Sequence, residues 1–144
     1  LILGATTSEE MGGFGAPVLA AATRPDLVIC LDATYADEAQ EVLLGGGPVL
    51  TLSDASVILS PAERERLSRT FRRAGVPLQT EVYNYSGTDS RAFPHLGLSC
   101  PVLALLIATE GNHSPVERAA LADIDALLTI LTQWATGGSD LGLG

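Results

Sequence analysis

The sequence predicts an α/β domain built on a mainly parallel β-sheet with helices on both faces. Apolar runs of strand length alternate with segments of helical character along the chain, and this alternation is typical of a parallel sheet. Residues 26–34 and 101–108 are apolar almost throughout, as expected for strands that are covered on both faces. In such sheets ligands bind beyond the carboxyl ends of the strands, which directs attention to the residues found there.

Five segments are predicted as strands. The first is interpreted as a buried strand, and glycines at positions 12, 13 and 15 follow it as a turn. The last is the most apolar of the five. They cover residues 1–7, 26–34, 48–52, 78–85 and 101–108.

The first two predicted helices carry clear start and stop signals. Residues 16–23 are rich in alanine, and Pro17 is tolerated because it falls in the first helical turn. The second helix is opened by a capping box, in which Ser60 and Glu63 each satisfy a backbone donor of the other, and it stops at Gly75.

Two further helices are predicted downstream. A short helix follows from Thr88 or Asp89 and reaches about residue 93. Ser114 and Glu117 form a second capping-box pattern, which predicts a final helix from there to about residue 135. Its apolar side chains recur at helical spacing.

Composition excludes several classes of function. The net charge is −9 at pH 7, and all eight cationic side chains are arginines. An acidic chain does not favour nucleic-acid binding, which requires a basic face. Without lysine, a Walker-type phosphate loop and Schiff-base chemistry are also excluded. No apolar stretch reaches the ~18 residues needed to cross a bilayer, so we expect no membrane partner.

Length and cysteine content indicate one intracellular domain. The 144 residues suffice for a single hydrophobic core, and we predict residues 1–136 as the domain and residues 137–144 as a flexible glycine-rich tail. Cys30 and Cys100 both lie in apolar runs, which favours buried thiols in a reduced, cytoplasmic protein, although two cysteines also permit a disulfide. Because the chain begins inside a strand-like segment, we expect the fold to start upstream.

Four candidate site residues fall just after predicted strand ends: Glu9, Glu10, Asp32 and His113. Carboxylate oxygen and imidazole nitrogen are the ligands of many divalent metal sites. If one carboxylate of the adjacent pair stays off the metal, it can act as base toward a metal-bound water. Each also has a simpler interpretation. Glu9 and Glu10 could be a solvated loop pair, Asp32 a turn or cap residue, and His113 a loop histidine before a helix. Burial of the Asp32 charge after its apolar run would be costly without a cation.

Two other positions are ambiguous. Asp89, preceded by Thr88, is interpreted first as a helix cap, with a contact to substrate or to the metal ligands as the alternative. His95 is interpreted as structural or exposed. A Gly-x-Ser-x-Gly elbow is absent from the sequence, and neither cysteine has an evident histidine partner, so covalent nucleophilic catalysis is not favoured.

Taken together, these motifs resemble the M42 family of dinuclear metalloaminopeptidases, the glutamyl aminopeptidase and endoglucanase-like group. The similarity runs in order along nearly the whole chain. It comprises the Glu-Glu-Met-Gly segment at 9–12 with Gly15 and Ala16, the Asp-Ala-Thr strand end at 32–34, the Leu-Gly-Gly-Gly-Pro turn at 44–48, Gln79, the Gly-Thr-Asp at 87–89, and the His-Ser-x-x-Glu pattern at 113–117 with Asp123.

The resemblance implies specific roles. Glu9 would be the general base, Glu10 and His113 would bind one metal ion, and Asp32 would bind the other. It further implies a zinc-peptidase-like sheet of the phosphorylase/hydrolase type, zinc or cobalt as the metals, and peptides as substrates, which lose their N-terminal residue.

The chain also departs from the family pattern. The family's remaining ligands, a histidine and a metal-bridging aspartate, lie upstream of the Glu-Glu motif, and Phe14 replaces an arginine of that segment. The chain therefore resembles the C-terminal portion of the catalytic domain, in which strands and apolar faces would be uncovered. We expect a homo-oligomer or a missing N-terminal segment, and little activity of the isolated chain. The alternative is a non-catalytic α/β module that serves assembly or small-ligand binding.

Overall fold

The computed structural model describes residues 1–85, 87–93, 97 and 100–137. His95 and residues 138–144 of the predicted tail lie outside the described residues. The helices and strands, in chain order, are α1 (Gly15–Thr23), β1 (Val28–Tyr35), β2 (Val49–Asp54), α2 (Pro61–Ala74), β3 (Gln79–Tyr83), β4 (Val102–Glu110), β5 (Arg118–Ala119) and α3 (Leu121–Ala135), with short 3₁₀ helices at Glu38–Gln40 and Asp89–Ala92.

The sheet of the described part is mainly parallel, as predicted. Its strand order is β1-β4-β2-β3, and β5 pairs with β4. The long ladders, β1 with β4 and β2 with β3, are parallel, whereas β2 meets β4 antiparallel only at Val49 and Leu50. Because Tyr35 pairs with Thr109, the carboxyl ends of β1 and β4 lie together at one edge of the sheet.

Helices cover both faces of the sheet, which confirms the predicted architecture. Side chains alternate between the faces along a strand. Leu103 and Leu105 of β4 belong to one buried cluster with residues of α2 and α3, among them Phe71 and Leu127. Val102 and Ala104, which alternate with these leucines, point the other way. On that face the alanines of α1 pack with Cys30 of β1 and Phe93.

The signals predicted for α2 are present as hydrogen bonds. The Ser60 backbone N–H donates to Glu63 Oε2 at 2.7 Å, and the Glu63 N–H donates to Ser60 Oγ at 3.3 Å. Gly75 ends the helix with a left-handed backbone, at φ 68°, which glycine adopts without steric cost. Leu67 and Phe71 are the buried apolar side chains of this helix.

The predicted buried strand at residues 1–7 is wrong. The segment is not a strand, and the side chains of Leu1 and Leu3 are 93% and 88% exposed. A strand needs a neighbour for its backbone donors and acceptors, and within the described ranges the sheet offers this segment none. Its end is held locally instead, since the Gly15 N–H donates to the Thr7 carbonyl at 3.0 Å.

The second capping box is also wrong, because α3 begins at Leu121 rather than after Ser114. Residues 118 and 119 pair with the end of β4 as β5, which requires extended backbone where the helix was expected. Glu117 has another role, since its Oε1 accepts from the His113 N–H at 2.9 Å. The predicted end of the helix near residue 135 is confirmed. None of the helices in the described part combines the length and apolar character of a bilayer span.

Candidate metal centre and active site

A cavity of about 200 Å³ opens at the carboxyl ends of β1 and β4. Its lining includes Glu9, Glu10, Asp32, Thr88 and His113. The structure therefore brings all four candidate site residues to one place, although they are spread over more than one hundred positions of the chain.

Glu10 and His113 are neighbours. Glu10 Oε1 lies 3.5 Å from His113 Nδ1, and both side chains are largely exposed. Glu10 lies in the turn after residue 8, where Gly12 and Gly13 both have positive φ. Two ligand atoms on one tetrahedral zinc ion are roughly 3.4 Å apart, given zinc–ligand distances near 2.0–2.2 Å. The observed separation thus fits a shared cation, and it equally fits a direct ion pair when the imidazole is protonated.

Asp32 lies at the cavity within β1, rather than just past a strand end as predicted. Its side chain is exposed, and its Oδ1 accepts from the Ala33 N–H at 2.8 Å. Surrounding protein atoms nevertheless crowd it. This partial burial raises the pKa of the Asp32 carboxyl, and the charges of Glu10 and Asp89 raise it further, against the lowering effects of the Ala33 N–H and of His113. Raised carboxyl pKa values in a cleft are typical of functional sites.

Glu9 is held by an arginine that sequence reasoning missed. Arg91 Nη2 donates to Glu9 Oε1 at 2.8 Å and to the Glu9 carbonyl at 3.0 Å. Burial raises the pKa of the Glu9 carboxyl, and this effect exceeds the opposing influence of Arg91. Asp32, Glu10 and Asp89 raise the pKa further. A carboxylate with a raised pKa is better suited to accept a proton.

Thr88 rather than Asp89 caps the short 3₁₀ helix. Its hydroxyl accepts from the Ser90 N–H at 3.1 Å. Asp89 Oδ2 accepts a hydrogen bond from the Thr6 hydroxyl, while its Oδ1 is buried without a hydrogen-bond partner in the described structure. The first interpretation of Asp89, as a cap, is therefore wrong. Thr88 lines the cavity.

Glu81, also missed, is a buried charge in the cavity wall. It is 4% exposed, and its two oxygens accept from Thr34 Oγ1 at 2.6 Å and from Thr51 Oγ1 at 2.8 Å. These bonds tie β3 to β1 and β2. Tyr35 and Tyr83 form an aromatic part of the same lining, with ring centroids 6.0 Å apart. The alternating pattern of β3 places Glu81 on the inward face, but the sequence does not indicate its partners, because both threonines are remote from it along the chain.

The donor chemistry of the cavity fits a divalent metal, but the ligand set is incomplete. Carboxylates and an imidazole are suitable ligands, and Glu10 and His113 are close enough to share an ion. Across the residues that the structure describes, however, no group of three or more His, Cys, Asp or Glu side chains is arranged to hold an ion. The described residues alone therefore do not make up a complete metal site.

Comparison with known proteins identifies the family. The model of the M42 glutamyl aminopeptidase family matches residues 1–130. The chain belongs to this family. A putative aminopeptidase of Acetivibrio thermocellus is 32% identical over 133 residues, which cover 89% of this chain and 40% of that relative. The lysyl aminopeptidase of Pyrococcus furiosus is 29% identical, with 84% of this chain and 36% of that protein covered.

Solved structures of the M42 type have the same fold. The TET aminopeptidase of a marine sediment thaumarchaeon superposes with a TM-score of 0.81 at 27% identity, covering 90% of this chain and 38% of that one. The TET1 peptidase of Pyrococcus horikoshii gives 0.78 at 29% identity, with coverage of 90% and 39%. The chain thus spans about two fifths of the length of these relatives. Nothing in these comparisons favours the alternative of a non-catalytic module.

Proposed function

We propose that this chain is the C-terminal part of the catalytic domain of a metal-dependent aminopeptidase, which removes N-terminal residues from peptides. The observation that carries the proposal is the 3.5 Å approach of Glu10 to His113, at a cavity that Glu9 and Asp32 also line. Membership of the M42 family supports this assignment of activity.

Each residue has a distinct proposed role. Glu10 and His113 would hold one divalent ion, and Asp32 would hold a second. Zinc and cobalt are the proposed metals, because oxygen and nitrogen ligands suit both. A bound divalent ion polarises a carbonyl and makes water acidic enough to attack at neutral pH. Glu9 would accept the proton that this water releases, since burial raises the pKa of its carboxyl.

The remaining ligands are proposed to come from protein outside these 144 residues. The described residues do not form a complete ligand group, and the chain covers 40% of the Acetivibrio thermocellus relative. Self-association is a further proposal, supported by the Pyrococcus horikoshii TET1 peptidase, which can assemble into a tetrahedron or a large octahedral shell. A cytoplasmic location and the division into a domain of residues 1–136 with a flexible tail stay predictions of the sequence.

Calorimetric titration of the purified chain with zinc, paired with metal analysis by mass spectrometry, tests the metal assignment. We expect weak binding that is lost in His113→Ala and kept in Asp125→Ala, a control that removes an exposed carboxylate on α3. Binding of two ions with nanomolar affinity would contradict the view that ligands are missing. Unchanged binding by His113→Ala would refute the role of His113.

The role of Glu9 needs an active protein. In the complete enzyme that carries this chain, Glu9→Ala should abolish peptide hydrolysis and leave the metal content unchanged. A loss of metal in this variant would instead make Glu9 a ligand. Activity that survives the substitution would exclude Glu9 as the base.

A further inference from the structure

Arg91 makes a contact that differs from the other arginine–glutamate pairs of the described structure. Its Nη2 donates both to the carboxylate and to the backbone carbonyl of Glu9, across 82 positions of sequence. The pairs of Arg72 with Glu65 and of Arg118 with Glu110 join side chains alone, on exposed surfaces. Such surface pairs contribute little to structure, whereas a contact to a backbone carbonyl fixes the main chain itself.

The base of Arg91 is well anchored. It belongs to the 3₁₀ helix Asp89–Ala92, which Thr88 caps. Ser90 of this helix is fully buried, and the buried Phe93 that follows packs in the cluster of α1 and Cys30. The arginine therefore projects from a fixed support toward a turn in which residues 10–12 are exposed.

The same short helix also contacts both sides of the turn that carries Glu9. Asp89 Oδ2 accepts from Thr6, before the turn. After the turn, a Cβ built on Gly13 would lie 3.3 Å from Asp89 Oδ1. Between these points the Glu9 carbonyl accepts from the Gly12 and Gly13 N–H groups at 3.2 and 3.0 Å, in addition to Arg91. The 3₁₀ helix thus bonds to Thr6 before the turn and to Glu9 within it, and it leaves little space beside Gly13.

We infer that Arg91 is the positioning residue of this site, which fixes the backbone and the carboxylate of Glu9 toward the cavity. The effect on turnover rests on the proposed function, because the placement of Glu9 matters for catalysis only if Glu9 is the base. The effect on the conformation of the turn is independent of the proposed function. A misplacement of about 1 Å at a reacting group can cost roughly 100-fold in rate, so a contact that fixes both parts of the residue has a measurable consequence.

The first test measures the turn itself by amide hydrogen exchange in the purified chain. Arg91→Ala should lose protection at the Gly12 and Gly13 amides, while the amides of α2 remain unchanged. Arg91→Lys should show intermediate protection, because lysine keeps the charge without the planar fork of donors. The matched control is Arg72→Ala, which removes an arginine that also bonds one glutamate through Nη2. Unchanged protection in Arg91→Ala, or equal loss in Arg72→Ala, would overturn the inference.

The second test uses the metal-loaded complete enzyme. Arg91→Ala should lower kcat by about 100-fold with little change in KM and in metal content, and Arg91→Lys should recover part of the loss. A rise in KM with unchanged kcat would make Arg91 a substrate-binding residue and overturn the inference. If the wild-type enzyme has no metal-dependent peptidase activity, the proposed function fails, and the exchange experiment still decides whether Arg91 positions Glu9.

Discussion

Removal of the Asp123 carboxylate should destabilise the fold by an amount that the structure allows us to estimate. Asp123 is fully buried in the first turn of α3. Its Oδ2 accepts from the Gly45 N–H at 2.8 Å, and its Oδ1 accepts from the Gly47 N–H at 2.7 Å. The two bonds join the helix to the glycine-rich turn before β2. Since each is a hydrogen bond to a charged group, each contributes about 1.5–3 kcal/mol.

Asp123→Ala removes both bonds, so we expect a loss of about 4 kcal/mol in the free energy of unfolding, within the sum of two such bonds. Asp123→Asn keeps the shape and one acceptor. Its amide nitrogen would face an N–H donor, which is best tolerated at the exposed Gly45, and we expect a loss of about 1.5 kcal/mol, the lower value for one bond.

Urea denaturation followed by the fluorescence of Trp134, the single tryptophan, measures these values. Asp125→Asn is the matched control, since it removes an exposed carboxylate from the same helix and should change stability by less than about 0.5 kcal/mol. The reasoning is refuted if the free energy of unfolding of Asp123→Ala lies within about 1 kcal/mol of the wild-type value, or if Asp123→Asn lowers it more than Asp123→Ala does.

Three further predictions concern single residues. Burial raises the pKa of the Cys30 thiol to about 12, so iodoacetamide at pH 8 should leave Cys30 unmodified in the folded chain and alkylate it in urea. Peptide mass spectrometry measures the modification, and rapid alkylation of Cys30 in the folded chain would contradict the prediction. Hydrogen bonds from Ser60 lower the pKa of the Glu63 carboxyl, so its contribution to stability is present above the pKa of the unfolded chain and is lost as pH falls through the pKa of the folded protein. The urea midpoint should therefore depend less on pH between about 3 and 6 in Glu63→Gln than in the wild type, and an unchanged pH dependence would exclude the effect. Gly47→Ala should lower the melting temperature, because the backbone at this position has φ +94° and the new Cβ would lie 2.7 Å from Pro77 Cγ. A melting temperature equal to that of the wild type, measured by calorimetry, would exclude this strain.

Local signals predicted most of the fold correctly. The capping box of Ser60 and Glu63, and the stop at Gly75, are contained within a few residues and form in the structure as expected. The same pattern failed at Ser114 and Glu117. There the chain pairs with β4, and His113 adopts a left-handed backbone at φ 60°. A capping signal thus decides a helix start only where no strand competes for the same backbone.

The residues of the candidate site were likewise predicted only in part. Glu9, Glu10, Asp32 and His113 were found because each follows an apolar run. The parallel ladder of β1 and β4 brings Asp32, which lies within β1, and the segment before His113 to the cavity. Glu9 and Glu10 follow no strand of the described structure and reach the cavity from a turn. Arg91 was not found, because nothing near it in sequence indicates that its partner is 82 positions away.

The sequence alone determined the alternation of helix and strand, the candidate site residues and the family resemblance, since each depends on short-range patterns of residue type. Tertiary structure decided the antiparallel contact of β2 with β4, the exposure of residues 1–3, and the partners of Arg91, Glu81 and Asp123. The physical reason is that a backbone or charged group can be satisfied by any complementary group that the fold brings within reach. Local sequence restricts the conformations of a segment, but it does not specify which remote group completes its hydrogen bonds.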